Sequence, residues 1–311
     1  MRRRKPKINK TAPAQSLSTL KMTAVASHPL ISVVTISFNQ AGFLERAMRS
    51  VLEQDYPNIE YIVVDAGSND GSREIIERYR NRIARVIFEH DNGPADGLNK
   101  GFSFATGEIF GYLNADDLFL QHAFSEVAGA FGNSPEVGVV TGHGFLIDAG
   151  GKPFRRFRSP PFNAWRFAFG CSNVMQQSTY FRRSVFANSP GFNIHNFTSW
   201  DGELMLEFAL NGAKFRTLNR YLSAFTIHSN SISGSQRRAS QSKENHDRYF
   251  KRVMGKDRSD YDEIMHVLAW LDKQIVDPAN LFVRLSDRIM GCPNIPPELI
   301  PGNQKVQSFL L

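Results

Sequence analysis

The chain has 311 residues, 41% of them hydrophobic, which suits a large globular domain with an extensive core. Its formal net charge is +7, but six positive charges lie in the first ten residues, so the rest carries only about +1 (7 − 6). The two cysteines exclude a disulfide framework and favour a reducing compartment. The sequence has no run of 18 apolar residues, so no membrane span is predicted.

Residues 1–29 are basic and then mixed in Ser, Thr, Ala and Pro, without periodicity, which predicts a disordered basic arm. No aromatic residues alternate with these charges and no nucleic-acid motif follows, so we expect no nucleic-acid partner. The N-terminus lacks the apolar core of a signal peptide, and we expect a cytoplasmic protein. Attraction of the arm to anionic phospholipid leaves a peripheral position at the inner face of the membrane as an alternative.

From residue 30, apolar strands alternate with amphipathic helices. The strands are predicted at residues 31–36, 59–64, 84–88 and 109–114. This β-α-β alternation predicts an α/β fold with a mostly parallel central sheet, flanked by helices and joined by right-handed crossovers. Later strands are predicted at 137–141, 144–148 and 175–183, and residues 236–290 have helical spacing.

Polar side chains follow three of the predicted strands where each one ends. Parallel strands release their loops at one edge of the sheet, so we expect Ser37, Asp65, Asp116 and Asp117 to meet in one cleft. Two adjacent carboxylates at a strand end indicate either a divalent cation or a helix cap. The sequence has no Gly-x-Gly-x-x-Gly after the first strand and no P-loop motif, which argues against a dehydrogenase and a P-loop enzyme.

Five segments resemble, in order and spacing, successive motifs of the family 2 glycosyltransferases. They are residues 31–39 (ISVVTISFN), 61–72 (YIVVDAGSNDGS), 93–101 (GPADGLNKG), 105–108 (ATGE) and 113–117 (LNADD). The resemblance implies the GT-A fold and an enzyme that transfers a sugar, with inversion, from a nucleotide-sugar donor, with Mg²⁺ or Mn²⁺. A UDP-linked donor is expected, and the acceptor is expected to be a hydroxyl of a glycan or glycolipid in cell-surface polysaccharide synthesis.

The resemblance also divides the chain. It implies a glycosyltransferase domain at 30–235, with a nucleotide half at 30–120 and an acceptor half at 121–235, followed by a helical extension at 236–311. Processive members carry Gln-x-x-Arg-Trp, whereas residues 236–240 read QRRAS, so a non-processive enzyme is expected.

The nucleotide-binding residues follow from matching positions. Asp65 stands where the family binds the base, with Ser37 and Phe38 beside it. Asp96 and Lys100 fall in the helix that flanks the ribose and the diphosphate.

The metal ligands follow in the same way. Asn114, Ala115 and Asp116 replace the family's Asp-x-Asp motif, with an amide where many members have an acid. Asp116 then carries most of the metal binding, with Asn114 or Asp117 assisting. His228, near the end of a later predicted strand, either completes the metal shell, contacts the diphosphate or is simply a polar surface residue.

Asp201 is the expected catalytic base, and Glu203 is the second choice. Both lie at the start of a predicted helix that opens at Trp200, where an acid also serves as a cap or a partner of the helix dipole. Their place after the acceptor-side strand matches the family's base, which takes a proton from the acceptor hydroxyl.

Two further segments have open interpretations. Residues 155–166 are basic and aromatic, which favours a solvated loop over an acceptor-binding platform. The helices predicted within 236–290 pack on the core, dimerise or lie on a membrane surface, and core packing is favoured. A nucleotidyltransferase and a non-catalytic nucleotide-sugar-binding module remain as alternative functions.

Overall fold

A computed structural model of the chain describes residues 28–229 and 239–301. The predicted disordered arm therefore lies almost wholly outside the described residues, as does most of the segment 236–240. The strands are β1 (Ile31–Ser37), β2 (Ile59–Asp65), β3 (Arg85–Phe88), β4 (Ile109–Asn114), β5 (Leu118–Phe119), β6 (Val137–Ile147), β7 (Pro153–Phe157), β8 (Thr179–Arg182) and β9 (Lys214–Thr226). The helices are α1 (Ala41–Leu52), α2 (Ser72–Arg78), α3 (Pro94–Ser103), α4 (Ala123–Gly132), α5 (Ala164–Ala168), α6 (Arg183–Ala187), α7 (Trp200–Leu210), α8 (Ala239–Met254), α9 (Asp262–Val276) and α10 (Pro278–Met290).

The nine strands form one sheet, which confirms the predicted α/β fold. Its order is β3-β2-β1-β4-β8-β6-β9-β5, with β7 paired to β6. The four strands of the first half, β3, β2, β1 and β4, are all parallel, as expected. The second half is mixed, because β8 is antiparallel to both β4 and β6 while β9 is parallel to β6.

The register of the first half brings the functional loops together. Ser37 lies opposite Asp65, and Ile36 lies opposite Asn114, so β1, β2 and β4 end at the same level. The backbone N–H of Ala66 donates to Ser37 O at 3.0 Å, and that of Ala115 donates to Ile36 O at 3.2 Å. The loops after these three strands therefore leave the sheet side by side.

Successive residues of β1 explain the two layers of helices. Val33 faces a core that includes Leu44 of α1 and Ile76 of α2, while Val34 faces a core that includes Leu98 of α3 and Leu204 of α7. This alternation is the period of a strand buried on both faces. The helices that carry residues of the cleft are thus fixed by apolar contacts to opposite sides of the sheet.

Three predicted strands differ from the structure. The strands predicted at 137–141 and 144–148 are one strand, β6, whose pairing with β9 shifts register at His143. A Cβ on Gly142 would lie 2.5 Å from the Leu222 side chain, and one on Gly144 would lie 2.8 Å from Met175. These glycines mark a bulge and close packing rather than a turn. The strand predicted at 175–183 begins only at Thr179, after a 3₁₀ turn.

The segment 155–166 is not a solvated loop, because three of its arginines fasten the C-terminal helices. Arg156 pairs with Asp287 at 2.6 Å, Arg158 with Asp277 at 3.2 Å, and Arg166 with Asp272 at 2.7 Å. Asp287 also accepts the backbone N–H of Arg156 at 2.7 Å. Polar contacts therefore hold α9 and α10 against β7 and α5.

We expect Arg156→Ala to lower the free energy of unfolding by about 1–3 kcal/mol, since it leaves the buried Asp287 carboxylate with only its backbone donor. Denaturant unfolding measures the loss. The control is Arg80→Ala, which removes an exposed ion pair with Glu77 and should change the stability by less than about 0.5 kcal/mol. Equal losses for the two variants would contradict the proposed fastening.

Within residues 28–229 and 239–301, no helix is both long enough and apolar enough to span a bilayer.

Candidate active site

A cleft of about 730 Å³ lies at the edge of the sheet where β1 and β4 end. Ser37 and Phe38 from the first loop, Asn114 and Asp116 from the end of β4, and Asp201 from the start of α7 line it. Five of the eleven residues predicted for the site therefore meet at one surface. The other six do not line the cleft.

Several buried polar atoms in this wall have no hydrogen-bond partner among the described residues. They are Ser37 Oγ, Asn114 Oδ1, Gln176 Nε2 and Trp200 Nε1. Buried polar groups in native proteins are nearly always paired, so such atoms gathered at one cavity indicate a polar ligand that pairs with them. The set includes both donors and acceptors, as a sugar or a nucleotide requires.

The two adjacent acids at the end of β4 have different surroundings. The Asp117 carboxylate is fully buried and accepts hydrogen bonds from Gln177 Nε2 at 2.6 Å and from the Thr226 N–H at 2.9 Å. Burial, and then the charge of Asp116, raise the pKa of Asp117 well above its usual value. Asp117 thus ties β4 to its neighbours, while Asp116 faces the cleft.

His228 contacts the acid that faces the cleft. Its Nε2 lies 3.0 Å from Asp116 Oδ2, and its ring stacks on Phe43 of α1 with the centroids 4.8 Å apart. The structure therefore brings His228 to Asp116, as the metal prediction requires.

The described residues contain no group of three or more His, Cys, Asp or Glu side chains placed to hold a metal ion. The available oxygen donors are the Asp116 carboxylate and the unpaired amide oxygen of Asn114. Mg²⁺ is commonly held by one or two protein oxygens together with substrate phosphates and water, so this donor set fits a substrate-bound divalent cation. It does not fit a site built from protein ligands alone.

The structure separates the two candidate bases. Asp201 is the second residue of α7, after the N-cap position Ser199, and it lines the cleft. Burial raises the pKa of Asp201, and the N–H groups of Gly202 and of Asp201 itself oppose that shift. Glu203 lies outside the lining, because its carboxylate accepts hydrogen bonds from Asn196 at 2.6 Å and from Arg248 at 2.8 Å.

Asp65 lies behind the wall of the cleft and has no exposed surface. Its carboxylate accepts the N–H groups of Gly67 and Ser68 at 3.1 and 2.9 Å, and Arg73 Nε at 3.1 Å. These contacts hold the loop after β2, whose Ala66 lines the cleft.

Asp96 and Lys100 likewise support a loop rather than the wall itself. Asp96 accepts the N–H of Asn92 at 2.9 Å, and Lys100 donates to the carbonyl oxygen of His90. The loop that they support places His90 and Asp91 at the cleft. Burial raises the pKa of Asp91.

Sequence reasoning missed functional candidates that carry no strand-end signal. Gln176 lines the cleft and its side-chain oxygen accepts from Asn114 Nδ2 at 3.2 Å, but in the sequence it appears as part of a strand. Arg46 lies on α1 next to buried Leu44 and Ala47. Burial lowers the pKa of Arg46, and the charges of Asp117 and Asp116 act in the opposite direction. A cation next to the apolar face of α1 is the signal that would have identified it.

Comparison with known proteins agrees with this geometry. The family model described as "Glycosyl transferase family 2" matches residues 32–188, which contain the ends of β1, β2 and β4. The chain belongs to glycosyltransferase family 2. It is thus a glycosyltransferase, as the motifs predict.

Relatives of this family 2 chain span several bacteria. An uncharacterised glycosyltransferase of Mycobacterium tuberculosis is 31% identical over 189 residues, 60% of this chain and 71% of the relative. One from Nostoc sp. is 37% identical over 125 residues, 39% of this chain and 38% of the relative. The putative teichuronic acid biosynthesis glycosyltransferase TuaG of Bacillus subtilis is 39% identical over 92 residues, 29% of this chain and 36% of the relative. The chain thus spans little more than a third of the length of the Nostoc and Bacillus proteins.

Solved structures share the GT-A fold of this family 2 chain. Residues 1–349 of S. aureus TarS, in complex with UDP-GlcNAc, align with a TM-score of 0.61 at 18% identity, covering 84% of this chain and 78% of that one. The mannosyltransferase PcManGT of Pyrobaculum calidifontis, in complex with GDP-Man and Mn²⁺, aligns with a TM-score of 0.57 at 18% identity, covering 86% and 77%. At this identity the likeness shows the fold alone.

Proposed function

We propose that this glycosyltransferase moves a sugar, with inversion, from a UDP-linked donor to a hydroxyl group of a glycan or glycolipid, in a single addition and with a divalent cation. The observation that carries the proposal is the placement of Asp116 and Asp201 in the wall of the same cleft. Asp116 would hold the cation that binds the leaving diphosphate, and Asp201 would accept the proton of the acceptor hydroxyl.

Asp201 acts as the general base. The acceptor oxygen forms a bond to the anomeric carbon as the bond from that carbon to the diphosphate oxygen breaks, and the electron pair of that bond leaves with the diphosphate. The hydroxyl proton passes to the Asp201 carboxylate. Attack from the face opposite the diphosphate inverts the anomeric configuration. Because burial raises the pKa of Asp201, its ionised form is a stronger base than an ordinary aspartate.

Asp116 and Asn114 are the residues that would hold Mg²⁺ or Mn²⁺, with His228 in contact with Asp116. When bound, the cation supplies Lewis-acid neutralisation of the charge that develops on the leaving diphosphate. The Mn²⁺ in the PcManGT complex supports a divalent cation in this fold, and the unpaired Asn114 oxygen supports this position.

The nucleotide occupies the side of the cleft nearer β1. Phe38 is exposed there and offers an aromatic surface for the base, while the unpaired Ser37 hydroxyl offers a hydrogen bond. Asp65, Asp96 and Lys100 contribute by holding the loops that carry Ala66 and residues 90–94. The UDP-GlcNAc in the TarS complex supports a UDP-linked donor.

The experiment incubates the purified full chain with a panel of UDP-, GDP- and dTDP-sugars and Mn²⁺ or Mg²⁺, and measures nucleoside diphosphate. We expect release from one UDP-sugar and its loss with EDTA. Release of pyrophosphate from a nucleoside triphosphate and a sugar phosphate would instead indicate nucleotidyl transfer. Donor binding without turnover for any tested acceptor or water would favour a non-catalytic module.

The pH dependence tests the base directly. Asp201 must be ionised to accept a proton, and its raised pKa moves the acid limb of kcat to a higher pH than the value of about 3.9 typical of aspartate. We expect kcat to fall as the pH drops through this raised pKa, with the slope of a single protonation. In the pH profile of Asp201→Asn this fall should be absent. A limb that persists in the variant would assign the titration to another group.

A further inference from the structure

The two C-terminal helices expose an apolar face. On α9 the side chains of Ile264, Leu268, Leu271 and Ile275 recur at intervals of four, three and four residues, and all are exposed. On α10 the same spacing continues with Phe282, Leu285 and Ile289. Their exposed fractions reach 78% at Ile275 and 72% at Ile289. We call these seven side chains the apolar face.

The favoured prediction that these helices pack on the core is confirmed for α9, and the apolar face remains exposed after that packing. A neighbouring side of α9 makes the inward contacts, through buried Ala269 and half-buried Met265, in a cluster with Phe169 and Phe250. The inward side of α10 is tied by Asp287 to Arg156. The apolar face is therefore left over after both helices have docked. A row of exposed large apolar side chains on one helix face is typical of a surface that binds a partner or a membrane.

The exposed charges of α10 have one sign, whereas α9 carries the acids Asp262, Glu263 and Asp272 and the cation Lys273. On α10 the exposed charged residues are Arg284 and Arg288, while its one acid, Asp287, is turned inward. Arg155 on the neighbouring β7 lies close enough to Arg284 for its pKa to be lowered by that charge as well as by burial. The sequence adds six cations in residues 1–10. An amphipathic helix with arginines beside large apolar side chains suits an anionic lipid surface.

We propose that the apolar face docks the protein on an anionic phospholipid bilayer. A second copy of this chain is the less suitable occupant, because a symmetric interface on α10 would bring like-charged arginines together. The position of α10 relative to the cleft also fits this proposal. The inward side of α10 packs against β7, and Arg155 and Phe157 of β7 line the cleft beside Leu146 and Phe225. A docked protein would hold this apolar side of the cleft near the bilayer.

The test is sedimentation of the full chain with vesicles of phosphatidylglycerol mixed with phosphatidylcholine, and with pure phosphatidylcholine vesicles. We expect binding to the anionic vesicles that weakens as salt is raised. Phe282→Ser with Ile289→Ser should weaken it at least about tenfold, because both side chains would insert into the lipid. Arg284→Glu with Arg288→Glu should weaken it by a similar factor.

A control variant and the choice of readout test whether vesicle binding depends on the apolar face. Leu210→Ser replaces another exposed apolar residue, at the end of α7 and outside the apolar face, and should leave vesicle binding unchanged. All variants keep the basic N-terminal segment. If the Phe282 and Ile289 substitutions leave vesicle binding unaffected, the N-terminal segment alone is responsible for the binding. That result would overturn the proposal. The readout needs no donor or acceptor, so it is independent of the proposed transfer reaction.

Other occupants would give different results. Light scattering that shows an oligomer, dissociated by Phe282→Ser, would assign the face to a second copy. A chain ending at Pro301 that binds vesicles when the full chain does not would show that residues 302–311 cover the face. Either result would overturn docking by the full chain.

Discussion

Asp201→Asn is expected to reduce the rate of sugar transfer by about two to four orders of magnitude while nucleotide affinity stays nearly unchanged. The substitution keeps the shape of the side chain at the start of α7 but removes the proton acceptor. Transfer rates under saturating donor give kcat, and titration calorimetry with the nucleotide gives the affinity. Normal turnover by this variant would rule out Asp201 as the base.

A stability measurement sharpens this test. Burial raises the pKa of Asp201, so the folded protein favours its protonated form, and that contribution to stability is lost as the pH rises through the raised pKa. At pH 7 the ionised carboxylate therefore destabilises the fold, and Asp201→Asn should raise the unfolding temperature there. The gain should shrink under acidic conditions, where the aspartate is already protonated. A variant that is inactive because it is misfolded would instead unfold more easily.

Glu203→Gln is the matched control from the same helix. The Glu203 carboxylate accepts hydrogen bonds from Asn193, Asn196 and Arg248 and does not line the cleft. We expect the substitution to lower the free energy of unfolding by about 1–3 kcal/mol and to leave kcat within a few-fold. The reverse pattern, with a large loss of kcat and no loss of stability, would transfer the base assignment to Glu203.

Asp116→Ala is expected to remove metal-dependent transfer, with a loss of roughly 10³-fold or more, while the fold is preserved. Asp116 is the carboxylate that faces the cleft, and the amide oxygen of Asn114 brings no charge with which to hold the cation alone. Turnover measured across a Mn²⁺ titration gives both the rate and the apparent metal affinity. Near-normal activity in the variant, or a wild-type enzyme insensitive to EDTA, would contradict the metal site.

The neighbouring acid provides the control. Asp117 is fully buried, and its carboxylate accepts hydrogen bonds from the Thr226 N–H and from Gln177 Nε2. In Asp117→Asn the side-chain NH₂ group replaces one of the two accepting oxygens, so one of these hydrogen bonds is lost and two donors face each other. We expect this variant to lose stability and to keep the metal dependence of whatever activity remains. A selective loss of metal affinity would place Asp117, rather than Asp116, in the metal shell.

The first four strands of the fold could be predicted from the sequence because their signals are local. Each β-branched run ends in a polar loop and is followed by an amphipathic helix, and parallel pairing then fixes which loops meet. Of the four residues expected to meet in one cleft, Ser37 and Asp116 line it, whereas Asp65 and Asp117 are fully buried and do not. The assigned chemistry of these residues stays a prediction.

The rest of the fold and of the candidate site could not be predicted, because it depends on contacts between distant parts of the chain. Sequence alone does not indicate that Arg156 meets Asp287, so it favours a solvated loop where the structure has a segment fastened to α10. Nor does it indicate that Ser68 and Arg73 occupy the Asp65 carboxylate, which separates this acid from the cleft. The helical spacing of Ile264, Leu268 and Leu271 predicts one apolar face but not whether the core or a partner covers it.

The measurement that most directly tests the assignment of the cleft is a crystal structure of the full chain with a UDP-sugar and Mn²⁺, with the metal located by its anomalous scattering. The account predicts the manganese peak in contact with Asp116 and Asn114, the diphosphate on the same ion, and the anomeric carbon facing Asp201. A nucleotide bound outside this cleft, or a manganese peak away from Asp116, would contradict it.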